Sequence, residues 1–259
     1  MGIHPKLIND LEKSQIIKVI SGCLNNFEET EIVNTIKAAE LGGATYVDIA
    51  ADQKVIQLAK QATKLPICVS SIIPDQIFKC IDNGVEIVEI GNFDAFYSKS
   101  MFFNINDIKN ISLKIKKEYP NVTICTTLPY ILSLKQQIEL ALYLQSIGID
   151  LLQTEGTINS KNINKLSNIS LQKSQSTLLT TYNLSKIVQI PIIAASGIGL
   201  HNAKTAISYG ASGVGIRSAI SQEVDLNKKS MIVKSIKNSL THKSKCKNKY
   251  ILNQRPIKT

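Results

Sequence analysis

The chain has 259 residues, 44% of them hydrophobic and 19% charged, with no Trp and a formal net charge of +10. Those proportions exclude a collagen-like, mucin-like or wholly disordered chain and leave ample material for a core. The charge is uneven, because residues 228–259 hold ten Lys/Arg and no Asp or Glu, and the other 20 basic side chains face 20 acidic ones. The body is therefore neutral. The basic excess reads as a solvated helix face followed by a frayed end, so nucleic acid is not the expected partner.

The opening residues MGIHPKLINDLEKSQ form an N-terminal extension over 1–15, with neither the apolar stretch of a signal peptide nor the acid-poor character of a transit peptide. A barrel domain is expected over 16–241. Its first strand is IIKVIS (16–21), followed by a helix over 30–41 that stops at Gly42-Gly43. TYVDIA (45–50) precedes a helix over 52–62, and PICVSSI (66–72) precedes one over 74–83. VEIVEI (85–90) leads into the aromatic segment GNFDAFYSKSMFFN (91–104) and a helix over 105–118. VTICTTL (122–128) is followed by a helix over 133–146. IDLLQTE (149–155) is followed by an Asn/Ser/Lys-rich segment, 156–171, and a helix over 172–188. PIIAAS (191–196) leads to a helix over 202–209. ASGVGI (211–216) leads to a short extra helix and then the last helix, 228–241. Residues 242–259 read as a basic, disordered tail.

Eight strand–helix units with near-continuous apolar strands suit a parallel sheet buried on both faces. Glycine at the helix ends supplies the left-handed stop. The expected fold is α/β, a single (β/α)8 TIM barrel rather than a doubly wound sheet. Each long connection, 91–104 and 156–171, reads either as a lid over the mouth or as a segment packed against its own helix. No run approaches the ~18 apolar residues that span a bilayer, so no membrane partner is expected. Five cysteines without a C-x-x-C pair and three scattered histidines point to a reduced compartment and no metal site.

The most specific chemical signal is a pair of glycine loops, AASGIG (194–199) and GVGIRSAI (213–220), after the last two strands. Glycine lets backbone N–H groups converge on an anion, and a helix N-terminus adds partial positive charge. In barrels this pair of connections frequently binds phosphate. The candidate phosphate ligands are the amides of Gly197, Gly199, Gly215, Arg217 and Ser218, with the Arg217 side chain and the Ser218 hydroxyl as additions. Tight-turn chemistry is the competing explanation for either loop alone.

Polar side chains at the C-terminal ends of apolar strands form the second signal. Asp48, Glu89 and Glu155 are candidates for proton transfer, and Ser70, Thr126 and Gln153 for lining a substrate. Glu89 or Glu155 capping a neighbouring helix is the alternative. No lysine stands at a strand end, so a Schiff-base aldolase mechanism lacks its nucleophile. No G-x-S-x-G elbow appears, and no G-x-G-x-x-G follows the first strand.

LGGATYVDIAAD (41–52), LPICVSSIIPD (65–75), EIVEIGNFDAFY (86–97), LLQTEG (151–156), PIIAASGIG and GASGVGIRSAI together resemble the family called hypothetical chloroplast reading frame twenty-three. The resemblance covers most of residues 16–225. It implies an aldolase-type barrel in a plastid stroma, encoded in the plastid, or in the cytoplasm of a cyanobacterium. More loosely, the glycine loops resemble those of the tryptophan synthase alpha chain and of flavin-binding barrel oxidoreductases, which often carry two adjacent glycines where this chain has Ser196-Gly197. The expected protein is an uncharacterised plastid barrel that binds a phosphorylated small molecule and acts as an isomerase, epimerase or lyase. An FMN-binding oxidoreductase is one alternative, with FMN the only cofactor in view. A non-enzymatic regulatory or partner-docking barrel is the other.

Overall fold

A computed structural model of the chain describes residues 2–21, 28–91, 93–97, 100–156 and 166–241. Its eight strands are β1 (Ile16–Ile20), β2 (Tyr46–Ala50), β3 (Ile67–Ser71), β4 (Ile87–Ile90), β5 (Thr123–Leu128), β6 (Leu151–Thr154), β7 (Ile192–Ala195) and β8 (Gly213–Ile216). They form one closed barrel in sequence order. The closing seam is parallel, with Ile16 of β1 opposite Gly213 and Lys18 opposite Gly215. The expected TIM barrel is the observed one.

The alternation of each strand divides its side chains between two environments. Ile17, Val19, Val47, Ile49, Val69, Val88, Ile124, Leu152, Ala194 and Val214 belong to the cluster packed against the surrounding helices. Ile16, Tyr46, Cys68, Ile87, Cys125, Leu151 and Ile193 form a separate apolar cluster, the lower layer of the barrel interior. Two residues further along each strand, the inward positions become Lys18, Asp48, Ser70, Glu89, Thr127, Gln153, Ala195 and Gly215. That change from apolar to polar places the candidate site.

The helices are α1 (Pro5–Glu12), α2 (Glu29–Leu41), α3 (Gln53–Ala62), α4 (Pro74–Asp82), α5 (Asp94–Tyr97), α6 (Ile105–Glu118), α7 (Leu134–Ser146), α8 (Leu166–Leu184), α9 (Ala203–Ser208), α10 (Ser218–Ser221) and α11 (Leu226–Thr241). Asp52 caps α3 by accepting the N–H groups of Lys54 and Val55. Capping boxes open α6, through Asn104 and Asp107, and α7, through Ser133 and Gln136. Gly210, with φ of +97°, ends the turn after α9 where a Cβ would lie 2.4 Å from the Ser185 Cβ. The α8 helix begins at Leu166 instead of 172, because the Asn/Ser-rich run that precedes Leu171 is helical without apolar periodicity. Residues 157–165 of that connection, Cys23, Cys246 and the tail over 242–259 lie outside the described residues.

Residues 5–12, read only as part of an extension, form α1, which stoppers the lower end of the barrel. Leu7 and Leu11 are buried in the inner apolar cluster. The Gly2 N–H donates to Asp150 Oδ1 at 3.0 Å and the His4 N–H to Thr123 Oγ1 at 2.7 Å. Asp10 accepts from the Thr45 hydroxyl at 2.5 Å and the Lys237 ammonium at 2.6 Å.

The expected solvated face of the last helix is corrected in part. Lys229 of α11 is fully buried and donates to Glu31 Oε1 at 2.5 Å and Thr35 Oγ1 at 3.0 Å of α2. Close approach of the two helices depends on Gly42, where a Cβ would lie 2.4 Å from that of Val233. The aromatic connection packs down. Phe93 is fully buried, Phe103 contacts Phe93 and Phe96, and Tyr97 stacks on Phe102 and meets Tyr130 edge-on.

Candidate active site in the barrel mouth

The polar layer is a connected hydrogen-bond network around Lys18. Its ammonium lies 2.8 Å from Asp48 Oδ2 and 2.8 Å from Gln153 Oε1, and it donates to Glu89 Oε2. Gln153 Nε2 donates to Glu89 Oε1 at 2.8 Å and to Thr127 Oγ1 at 3.0 Å. The Thr127 hydroxyl donates to Glu89 Oε1 at 3.0 Å, and the Ser70 hydroxyl donates to Asp48 Oδ1. Lysine has only donors, so the Gln153 atom facing it is the oxygen, which fixes the amide's orientation.

Burial and charge set the chemistry of this layer. All of its side chains are buried, Gln153 the least so at 6% exposure. Burial by itself would lower the Lys18 ammonium, but Asp48 and Glu89 outweigh it and hold the lysine well above its ordinary range. Burial pushes Asp48 up, Lys18 pulls it back and Glu89 adds to the rise. One ammonium is shared by two carboxyl groups, so with both ionised the layer carries one excess negative charge. Asp48 is therefore suited to taking up or releasing a proton, while Glu89 is locked by three donors. Below the layer, burial raises the Cys68 and Cys125 thiols, which makes them inert packing groups.

The structure brings Asp48, Glu89, Ser70 and Gln153 together. It does not bring in Thr126. That residue lies opposite Ile90 and Leu152 in the strand register, both members of the outer apolar cluster, and its buried hydroxyl lacks a hydrogen-bond partner. Thr127, one residue on, is the inward residue. In a strand a one-residue shift exchanges the faces. Glu155 lies just past β6, where it accepts the Tyr130 N–H at 2.9 Å. It ties the rim of the mouth instead of joining the layer, and it does so through the turn before α7 and not by capping a helix.

No lysine stands at a strand end, yet Lys18 enters the interior layer. It stands in mid-strand, not at an end, so a search of strand ends passes over it. Alternation within IIKVI was the available signal, since it puts Lys18 on the face opposite Ile17 and Val19. All three ammonium hydrogens are donated, so the nitrogen has no lone pair to attack a carbonyl. Incubation with a small aldehyde or ketone followed by borohydride is therefore expected to leave the mass of the Lys18 peptide unchanged.

The glycine loops meet at the C-terminal rim. Gly197 through Asn202, Ser218, Ala219 and Gln222 line one hollow of about 560 Å³. A Cβ on Gly199 would lie 3.4 Å from that of Ala219, so the loops are in contact. Ser196 and Gly197 both adopt positive φ, +79° and +72°, so Ser196 takes the conformation for which glycine is the unstrained choice. The Gly199 N–H is taken by Asn202 Oδ1 at 2.8 Å, and Asn202 Nδ2 donates to the Gly197 carbonyl at 2.9 Å. Asn202 is thus a loop organiser that the sequence reading missed. Gly215 belongs to β8 and not to a loop. Arg217 caps α10, its carbonyl accepting the Ile220 and Ser221 N–H groups. The amides of Ser218 and Ala219, in the first turn, precede any intrahelical acceptor.

Among the described residues, no three or more His, Cys, Asp or Glu side chains gather as metal ligands, and no helix is long and apolar enough to cross a membrane.

The family described as protein of unknown function (DUF561) matches residues 3–246. An uncharacterized protein ycf23 of Porphyra purpurea is 42% identical over 235 residues, which is 90% of this chain and 87% of that protein. Its counterpart in Pyropia yezoensis is 39% identical over 244 residues, 93% and 88% of the two chains. The name denotes a hypothetical chloroplast reading frame, and the relatives come from plastid genomes, in accord with the expected plastid location. Among solved structures, thiamine phosphate pyrophosphorylase from Pyrococcus furiosus is similar with a TM-score of 0.58 and 19% identity, over 89% of this chain and 99% of that one. (S)-3-O-geranylgeranylglyceryl phosphate synthase from Thermoplasma acidophilum, in complex with its substrate sn-glycerol-1-phosphate, has a TM-score of 0.58 and 12% identity, over 92% and 99%. At these identities the likeness is one of fold.

Proposed function

The chain belongs to the protein family of unknown function DUF561, and from that premise we propose that it is an enzyme acting on a small phosphorylated metabolite. The rim of β7 and β8 holds the phosphate, and the layer containing Asp48 and Glu89 moves a proton, as an isomerase, epimerase or lyase requires. The observation that carries this reading is the convergence of the two glycine loops on a single rim hollow. These loops leave the strands that carry Ala195 and Gly215, the bare sector of the polar layer. On this reading a phosphate held by the rim extends its ester toward the carboxylates, which fixes the reacting end. A barrel of the same fold holds sn-glycerol-1-phosphate as substrate, which supports the ligand class.

Of the expected ligands, Gly197, Ser218 and Arg217 stay at the rim as candidates. Gly199 serves by letting the loops approach, and Gly215 by letting β8 pack against Ala195, where a Cβ would lie 2.9 Å from the Ala195 Cβ. Calorimetry with inorganic phosphate and glycerol phosphate tests the site. Binding is expected, and Ser218→Asp is expected to weaken it by about tenfold or more by setting a carboxylate against the anion. Unchanged affinity in that variant overturns the assignment. The phosphate of FMN would use the same loops, so a yellow protein, or one that takes up added FMN, would favour the flavoprotein alternative.

A further inference from the structure

The hydrogen-bonding capacity of the interior layer is one-sided. Lys18 donates to Asp48, Glu89 and Gln153. Both amide hydrogens of Gln153 and the hydroxyl hydrogens of Thr127 and Ser70 also end on groups of the same layer. Every polar hydrogen of these side chains is thus already donated. What the layer still offers is acceptor capacity on Asp48, Glu89, Ser70 and Thr127, together with its excess negative charge. Protonation of Asp48 would cancel that charge but would not release the ammonium from its three acceptors.

Shape says where a ligand meets this layer. The side chains are polar from β1 to β6, but at β7 and β8 the layer carries only the methyl group of Ala195 and the bare Gly215. A Cβ at position 215 would lie 2.9 Å from the Ala195 Cβ, 3.5 Å from Gln153 Oε1 and 3.6 Å from Ile20 Cδ1. The two strands of that sector run on into the glycine loops that line the rim hollow.

We propose that the ligand end facing this layer carries hydroxyl or amino groups, so that the substrate is a phosphorylated alcohol or amine and not a phosphorylated carboxylic acid. A hydroxyl or ammonium head supplies the donors that the layer lacks, and an ammonium also compensates its charge. A carboxylate head would bring a third buried anion to a site whose one cation is fully engaged. The assignment relies on the metabolite reading above for its phosphate, but not for its head.

Calorimetry of the full chain with ethanolamine phosphate and glycerol phosphate, against phosphoglycolate and phosphoglycerate, tests the selection. The alcohol and amine esters are expected to bind roughly tenfold or more tighter, and Asp48→Asn is expected to narrow that gap. Equal or tighter binding of the carboxylate esters overturns the proposal. A phosphate-free pair separates it from the rim reading. Ethanolamine is expected to shift the side-chain amide resonances of Gln153 where acetate at the same concentration does not. Shifts with acetate, or silence from ethanolamine, overturn the head assignment. Shifts with ethanolamine alone, in a protein that binds no phosphate ester, uphold it while the phosphate reading fails.

Discussion

Replacing Lys18 with Met is expected to destabilise the fold by about 3–5 kcal/mol, because it strands two carboxylates in the barrel without their counterion. Chemical denaturation at several pH values reads the effect. Lys18 is held above its ordinary range, so its contribution is whole below an unfolded lysine's pKa of ~10.4 and is lost only as pH rises through the higher folded value. Asp48 is also raised. Stability from that group is greatest below the ordinary carboxylate range and declines as pH climbs toward its folded value. Without Lys18, which pulls it down, the Asp48 carboxyl rises further, and the decline extends toward higher pH. The deficit of Lys18→Met should therefore be smaller at pH 5 than at pH 8. Adding Asp48→Asn and Glu89→Gln should recover much of it, since no buried charge then remains in the layer. A deficit independent of pH would mean that Lys18 acts through packing alone.

Gly213→Val is expected to cost about 3 kcal/mol, lowering Tm by roughly 6–12 °C for a chain of this size. The first added carbon would lie 2.4 Å from the Ile16 Cβ and 2.6 Å from the Ile16 carbonyl oxygen. The carbonyl is backbone of the facing strand, so relief requires the β1–β8 seam to part. Gly199→Ala is the control. Its Cβ meets Ala219 at 3.4 Å, an ordinary contact, and thermal unfolding should scarcely change. Equal losses in the two variants would show that the seam is not the cause.

The fold was legible because every strand carries an apolar run and most helices end in glycine or begin with a cap. Asp48, Ser70, Glu89 and Gln153 were legible for a related reason. Each is a polar residue in a run that otherwise has no use for one. Lys18 escaped because attention to strand ends ignores the face on which a mid-strand residue points. TICTTL has polar residues at adjacent positions, and only the register with β4 and β6 decides that Thr127, and not Thr126, enters the barrel. Glu155 has the right parity for an inward residue, but its hydrogen bond to the Tyr130 N–H depends on a connection from another strand. Asn202 is similar. Its two bonds to Gly199 and Gly197 come from a turn whose shape no spacing rule specifies. The α1 helix was missed because its two buried leucines make sense only against a barrel floor assembled from seven strands.

With α1 sealing the floor, the described barrel is closed at the end away from the glycine loops. On the enzyme reading proposed above, whatever reaches the carboxylates must back out along the route by which it arrived, so a product and the next substrate cannot pass one another. Such a cul-de-sac would tie the pace of repeated turnover to how readily the rim lets go.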